Sequence, residues 1–268
     1  MAGMPSRMRA VARAVGTPVV AAARYAVRLS ALLGEALLVL LASGGRLRPA
    51  LRQVFLRQVY FTGVLAVPFA LVLALLVAVA VAVQAHWSAA AGGEVLGTLL
   101  VVVLVRELGP LVATTIVVAR SGTAMAAELA TMRVDGEVET LAGMGVDPFE
   151  YLVVPRLLGT AVALAGLTVL FLAGTLAASA ALSPLLGGPP PWALLGQVTR
   201  ALEATDAAAL LAKTLVPGLV IAAVACHEGL SAWRSTTDVP PAVTATVVRA
   251  TTLAFGWNTL VSLFLYLG

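Results

Sequence analysis

The sequence is poor in charge: 11% of its 268 residues are charged, whereas 60% are hydrophobic. A soluble domain normally contains about 25% charged residues. So few polar side chains cannot coat a water-soluble globule of this size. The composition therefore excludes a soluble domain and predicts an all-α polytopic membrane protein.

Cysteine and histidine are nearly absent, with one cysteine and two histidines in the chain. The single Cys226 excludes an internal disulfide and a cysteine-based metal cluster. Ser231 stands where a zinc-binding His-Glu-x-x-His motif starting at His227 would need its second histidine. The sequence has no Gly-x-x-x-x-Gly-Lys-Ser/Thr phosphate loop and no evident Ser/His/Asp set. We therefore expect no metal site, no catalytic residue and no cofactor in this chain.

Long apolar runs predict five membrane-spanning helices, because a span needs about 20 apolar residues. These runs are Gly63–Ala85, Val95–Ala119, Leu157–Leu182, Ala207–Cys226 and Val247–Leu267. We expect a loop at 183–199, where prolines and glycines follow the third run. A shorter run, Leu29–Ala42, carries Glu35 and is flanked by arginines. We interpret it as a helix in the membrane interface, with a sixth, tilted span as the alternative.

The basic residues predict the orientation of the chain in the membrane. Nine of the 17 basic residues are arginines that precede residue 60. Because lysine and arginine accumulate in cytoplasmic segments, this excess predicts a cytoplasmic N-terminus. Juxtamembrane arginines serve lipid contact and topology, so the positive net charge does not indicate nucleic-acid binding. An acidic segment, Glu128–Glu150, then lies on the cytoplasmic side as well.

Charged residues interrupt the second apolar run, where Arg106 and Glu107 precede Gly109 and Pro110. A charge at the bilayer centre costs at least ~2.5–3.5 kcal/mol, so such residues usually face a bundle interior or a wet cavity. Pro110 removes a backbone donor and Gly109 adds freedom, which predicts a kink or break. These residues are candidates for a transport path, with an internal packing pair as the alternative. Lys213 either joins them or extends to the membrane surface.

The acidic segment Glu128–Glu150 contains six acidic residues and one arginine. Three apolar residues at helical spacing predict one amphipathic helix: Val134, Val138 and Leu141. Gly143 and Gly145 predict its end, and Asp147 with Pro148 predicts the start of the next helix. We expect a partner protein to cover the apolar stripe, with contact to the chain itself as the alternative.

Four sequence motifs of this chain occur in the same order in a known protein family. They are Arg106–Pro110, Ala119–Arg133, Met144–Pro148 and Val153–Arg156. They resemble the MlaE (YrbE) family, the ABC transporter permeases of the lipid-trafficking MCE systems. The resemblance implies a permease domain at 59–268 after a basic N-terminal segment at 1–58. It also implies a multi-pass protein of the bacterial inner membrane that works as a homodimer or beside a paralogous permease.

The resemblance further implies the partners and the transported molecule. A cytoplasmic ABC ATPase would bind ATP and dock on a coupling helix between the second and third spans. An MCE-domain protein would exchange phospholipid or a related lipid with the membrane. The implied coupling residues are Glu128, Met132, Arg133, Val134, Asp135, Glu137, Val138, Glu139, Leu141, Met144, Gly145, Asp147 and Pro148. The alternative function is an ion- or proton-coupled secondary transporter in which Arg106, Glu107 and Lys213 form the relay.

Overall fold

The computed structural model describes residues 20, 23–39, 49–89, 101–186, 189–232 and 235–267. The chain divides into two compact units, Met1–Arg46 and Leu47–Gly268. Besides residue 20, the described part of the first unit is helix α1 at 23–39. This helix covers most of the predicted interfacial helix, Leu29–Ala42, whose last three residues lie outside the described part. The position of α1 in the membrane interface and the predicted domain boundary at 58/59 stay predictions.

The described residues of the second unit form a bundle of helices and no strand. A π-helical turn, Phe149–Val153, leads directly into the sixth helix. The helices are α2 (Pro49–Thr62), α3 (Val67–Ala89), α4 (Val101–Val134), α5 (Glu137–Gly143), α6 (Val154–Leu182), α7 (Pro191–Ala201), α8 (Ala204–Leu230) and α9 (Val239–Leu267). The all-α prediction is confirmed.

Four helical segments of the described chain are long and apolar enough to cross a membrane: Leu51–Val83, Val101–Val134, Phe149–Leu185 and Ala204–Leu230. They coincide with the first four predicted spans, as far as those spans are described. The predicted fifth span, Val247–Leu267, lies within α9, which has the length to cross but is not one of these four segments. The chain is therefore a multi-pass membrane protein.

The stretch predicted as a loop, 183–199, contains most of helix α7 and a 3₁₀ turn at Ser183–Leu186. The loop prediction is wrong here because α7 is too short and too polar to register as an apolar run. Its Leu194 and Val198, four residues apart, are buried in one apolar cluster with Leu104 and Phe171. This spacing places both side chains on one face of the helix, so burial of that face stabilises it.

Helix α4 continues through Gly109 and Pro110 without the break that the sequence suggested. The interruption instead takes the form of π-helical geometry at Val101–Leu108, followed by an α-helical segment in which Pro110 stands in the first turn. A second π-helical segment covers Val118–Gly122. Pro110 has no N–H to donate to the preceding turn, and the change from π-helical to α-helical geometry falls directly before it.

Helices α6 and α8 lie at the centre of the bundle. Helix α6 packs against α2, α3 and α8, and α8 packs against α4, α6 and α9. The two central helices approach so closely at Gly218 that a Cβ there would lie 2.5 Å from the Cα of Ala161. Small residues permit such close approach, and van der Waals packing is a main attraction between helices in lipid.

Helix α3 presents alanines to the bundle and large apolar side chains to the outside. The buried alanines recur every four residues: Ala66, which immediately precedes the helix, and Ala70, Ala74, Ala78 and Ala82. Phe69, Val72 and Leu76 are exposed on the helix. In a membrane such an apolar surface meets lipid or another protein, so it costs no exposure to water.

Candidate functional site

The bundle has two ends, which the contacts between helices identify. The acidic end carries the segment Glu128–Glu150, and the opposite end carries Arg106. Helix α8 begins beside Arg106, through Asp206, and ends where Gly229 packs closely on Ala126. Helix α4 thus runs from the opposite end to the acidic end, and α8 runs beside it in the same direction.

Lys213 is the centre of a buried charge cluster that joins three helices. Its side chain is 1% exposed, and its ammonium lies 2.9 Å from Oε1 of Glu107 on α4. It also donates to Oγ of Ser262 on α9, at 2.7 Å, and to the main-chain carbonyl of Arg106. Ser262 in turn donates to Glu107 at 2.7 Å. The three N–H groups of the ammonium therefore each have an acceptor.

Pro110 contributes to this cluster, and Gly109 contributes to the packing of α4 on α6. In an α-helix the N–H of residue 110 would bond to the carbonyl of residue 106. Proline has no N–H, so it leaves the Arg106 carbonyl without that donor, and Lys213 bonds to this carbonyl. A Cβ at residue 109 would lie 2.6 Å from Leu172 Cδ2, so glycine lets α4 pack closely on α6.

Arg106 forms a second ion pair at the beginning of α8. Its Nε lies 2.7 Å from Oδ1 of Asp206, and its Nη2 bonds to Oδ2 at 3.3 Å. Asp206 is held in place by a capping box, because its carboxylate also accepts from the backbone N–H of Glu203. Glu203 lies 3.8 Å from the same guanidinium. These contacts make a close ion pair between α4 and the first turn of α8.

The structure brings together all five residues predicted for the transport path. Glu107 and Lys213 form one pair, so Lys213 does not extend to the membrane surface. Arg106 lies beside the first turn of α8, whereas the sequence placed it in mid-span. The contacts are those of the packing alternative, and the side chains of Arg106 and Glu107 remain 20% and 33% exposed. Sequence reasoning missed three partners that are distant along the chain: Glu203, Asp206 and Ser262.

The acidic segment forms a hairpin of α4 and α5. Asp135 and Gly136 make the turn, and Gly136 has φ of 75°, a left-handed conformation that glycine adopts without strain. An ion pair between Arg133 and Glu139 ties the two helices together. We call residues Glu128–Asp147 the acidic hairpin.

The predicted apolar stripe does not lie on one helix. Val134 ends α4 and packs near Ala130, Ala232 and Ala242, whereas Val138 lies on α5. The turn at Asp135 interrupts the helical spacing that the sequence appeared to have. Val138 is buried by the protein itself, so the expectation that a partner covers it is wrong.

Other apolar side chains of the acidic hairpin face outward. Met144 is 65% exposed, and Val146 is also exposed. Glu137 and Glu139 are exposed on α5. The hairpin therefore presents acidic and apolar groups together, a combination that suits a protein surface better than an anionic membrane surface.

The predicted end of the hairpin helix and the predicted start of the next helix are confirmed. Helix α5 ends at Gly143, and Gly145 adopts φ of 76° in the following turn. The carboxylate of Asp147 accepts from the backbone N–H of Phe149, at 2.9 Å, as an N-cap does. The remaining predicted coupling residues lie as follows: Glu128 and Met132 on α4, Leu141 on α5, and Pro148 directly before the π-helical turn. Glu128 forms an ion pair of 3.1 Å with Arg156 on α6.

Comparisons with known proteins agree with this architecture. The chain is 31% identical over 173 residues to the Arabidopsis thaliana protein TRIGALACTOSYLDIACYLGLYCEROL 1, chloroplastic, which covers 65% of this chain and 49% of that protein. It is 33% identical over 173 residues to a probable ABC transporter permease protein of Synechocystis, covering 65% and 66%. The chain thus matches about half and about two thirds of the lengths of these two relatives.

A longer match reaches further along the chain. A probable ABC transporter permease protein of Rickettsia prowazekii is 29% identical over 225 residues, covering 80% of this chain and 83% of that protein. The model of the family described as Permease MlaE matches residues 55–264. That range contains the charge cluster, the acidic hairpin and nearly all of α3 to α9. The chain therefore belongs to the MlaE permease family.

Proposed function

We propose that this chain is the membrane subunit of an ATP-driven lipid transporter. A separate ABC ATPase docks on the acidic hairpin, and phospholipid or a related lipid passes between the membrane and an MCE-domain partner. The observation that carries the proposal is the membership of the MlaE permease family. One relative is named for a lipid, trigalactosyldiacylglycerol, and others are named as ABC transporter permeases.

Helix α4 suits the transmission of motion from such an ATPase. It is helical throughout from Glu107 to Val134 in the acidic hairpin, roughly 40 Å at 1.5 Å per residue. Its far end is bonded to α8 and α9 through Lys213. A displacement of the hairpin therefore reaches a junction of three helices, where a lipid cavity opens or closes in our proposal.

The partly exposed charges at this junction border that cavity. The side chains of Arg106 and Glu107 are held by their ion pairs but are not fully enclosed. A lipid head group passing the opposite end can therefore meet both. We place the acidic end in the cytoplasm and the protein in the bacterial inner membrane, as a homodimer or beside a paralogue.

The proposal is tested by lipid transfer in proteoliposomes that contain the chain, its ATPase and the MCE-domain partner. We predict that transfer of a fluorescent phospholipid requires ATP. We also predict that Met144→Asp lowers the ATP-driven rate at least about tenfold, because it puts a charge at the exposed apolar contact of the acidic hairpin. The matched control is Leu185→Asp, since Leu185 is also an exposed apolar residue but lies at the opposite end.

Two outcomes contradict the proposal. Transfer that proceeds without the ATPase when an ion gradient is applied would favour the secondary transporter instead. Equal rates for Met144→Asp, Leu185→Asp and the unaltered protein would remove the acidic hairpin from the mechanism.

A further inference from the structure

A cavity of about 500 Å³ at the acidic end is rich in arginine. Its lining includes Arg57 on α2, Arg120 on α4 and Arg156 on α6, together with one acidic residue, Glu128. The basic residues of the lining thus exceed the acidic ones by two. A concave site with this excess attracts an anion.

Among the residues that the structure describes, Arg57 and Arg120 form no ion pair with an acidic side chain. Glu128 is paired with Arg156, the most buried of the three. In the described part of the chain, Arg57 lies over the ring of Phe61 at 5.5 Å, and Arg120 donates to the Phe61 carbonyl at 3.3 Å. Phe61 thus contacts both guanidinium groups in the lining of the cavity. Arginine binds phosphate with parallel N–H donors, so this pair suits a phosphate group.

The limits of the apolar runs indicate that the cavity lies at the depth of lipid head groups. Arg57 precedes the first apolar run, Arg120 directly follows the second, and Arg156 directly precedes the third. Because the three apolar segments end here together, the cavity faces the boundary between hydrocarbon and water. A soluble anion could contact the same arginines, but only a lipid could also bury its acyl chains against the apolar surface beside them.

That apolar surface continues from the cavity along the bundle. Phe61 lines the cavity and is exposed, and Val64, Leu65 and Phe69 follow it as exposed side chains toward the membrane interior. A lipid whose phosphate sits between Arg57 and Arg120 can therefore lay its acyl chains against this face.

We propose that this cavity binds the phosphate of an anionic lipid from the leaflet at the acidic end. The site needs neither ATP nor a transport cycle, so it goes beyond the proposed function and is tested on the isolated chain. Basic pockets between membrane helices bind anionic head groups in this manner.

The test titrates the purified full-length chain in neutral detergent with dioleoylphosphatidylglycerol and counts bound lipid by native mass spectrometry. Dioleoylphosphatidylcholine, which has a phosphate but no net charge, is titrated in parallel. We expect Arg57→Gln and Arg120→Gln each to weaken phosphatidylglycerol binding about fivefold, and the double variant about 25-fold. The matched control is Arg52→Gln: Arg52 is an exposed arginine of α2 that does not line the cavity, and we expect its removal to leave binding unchanged.

Each other result overturns the proposal. Equal losses for Arg52→Gln and Arg57→Gln would mean diffuse attraction to a basic surface. Equal binding of the two lipids would mean that charge is not recognised. Displacement of phosphatidylglycerol by millimolar inorganic phosphate would assign the site to a soluble anion. Because the arginines are exposed, the single variants should fold, and monodisperse elution verifies this before titration.

Discussion

At the scale of single residues, Lys213 shows most directly how one side chain joins several helices of the bundle. Its ammonium is buried and satisfied by groups on α4 and α9, so it acts as a fixed joint between three helices. Removing one partner of a buried ion pair costs more than removing both, because the partner left behind remains charged and unpaired.

We predict that Lys213→Met lowers the stability of the purified protein by about 1–3 kcal/mol, since it leaves the partly exposed carboxylate of Glu107 without a cation. Thermal unfolding in detergent measures this loss. The double variant Glu107→Gln with Lys213→Met removes both charges and should recover a substantial part of it. If Lys213→Met unfolds at the same temperature as the unaltered protein, the charge cluster does not stabilise the packing of the three helices.

The sequence predicted the members of this cluster only in part. Arg106, Glu107 and Lys213 stood out because charges inside apolar runs are rare. Asp206 did not, because it precedes its run, and Ser262 is one of many hydroxyl residues in apolar helices. Their roles arise from contacts across about 100 and 155 residues of chain, which no local pattern encodes.

At the scale of elements, close approach between helices depends on small residues. The Cα of Ala161 on α6 leaves no room for a side chain at Gly218 on α8. The alanines that recur every four residues along α3 serve the same purpose against the bundle. That repeat is visible in the sequence, although a count of apolar residues alone does not separate the packed face from the outer one.

We predict that Gly218→Ala destabilises the protein by about 1–3 kcal/mol, because the added methyl group meets backbone rather than a movable side chain. Gly166→Ala is the matched control: this glycine of α6 has no neighbour within 4 Å of the added Cβ. Its replacement should be neutral or slightly stabilising, since alanine favours a helix. Thermal unfolding of both variants decides the matter, and equal shifts would show that the contact between α6 and α8 is not tight.

The acidic hairpin shows why local periodicity can mislead. Val134, Val138 and Leu141 have helical spacing, yet the turn at Asp135 and Gly136 puts Val134 on a different helix. A glycine two residues after Val134 was the available signal, because it permits the left-handed backbone of the turn. The end of α5 and the cap at Asp147 were predicted correctly, since their chemistry is local.

At the scale of the whole molecule, α4 connects an outward-facing acidic hairpin to a buried charge cluster at the other end of the bundle. The class of protein followed from composition, because too few charges exist to coat a soluble fold. The pairing of α6 with α8 and the short helix α7 did not follow, because they depend on how faces meet in three dimensions.

The most direct test of our account places a photo-crosslinking amino acid at Met144 in the chain, expressed together with its ATPase and MCE-domain partner. Leu185, exposed at the opposite end, is the control position. We predict that light links Met144 to a subunit with an ATP-binding phosphate loop, identified by mass spectrometry, and that Leu185 gives no such product. Absence of that product at Met144, or equal yields at both positions, would contradict the claim that a separate ABC ATPase docks on the acidic hairpin.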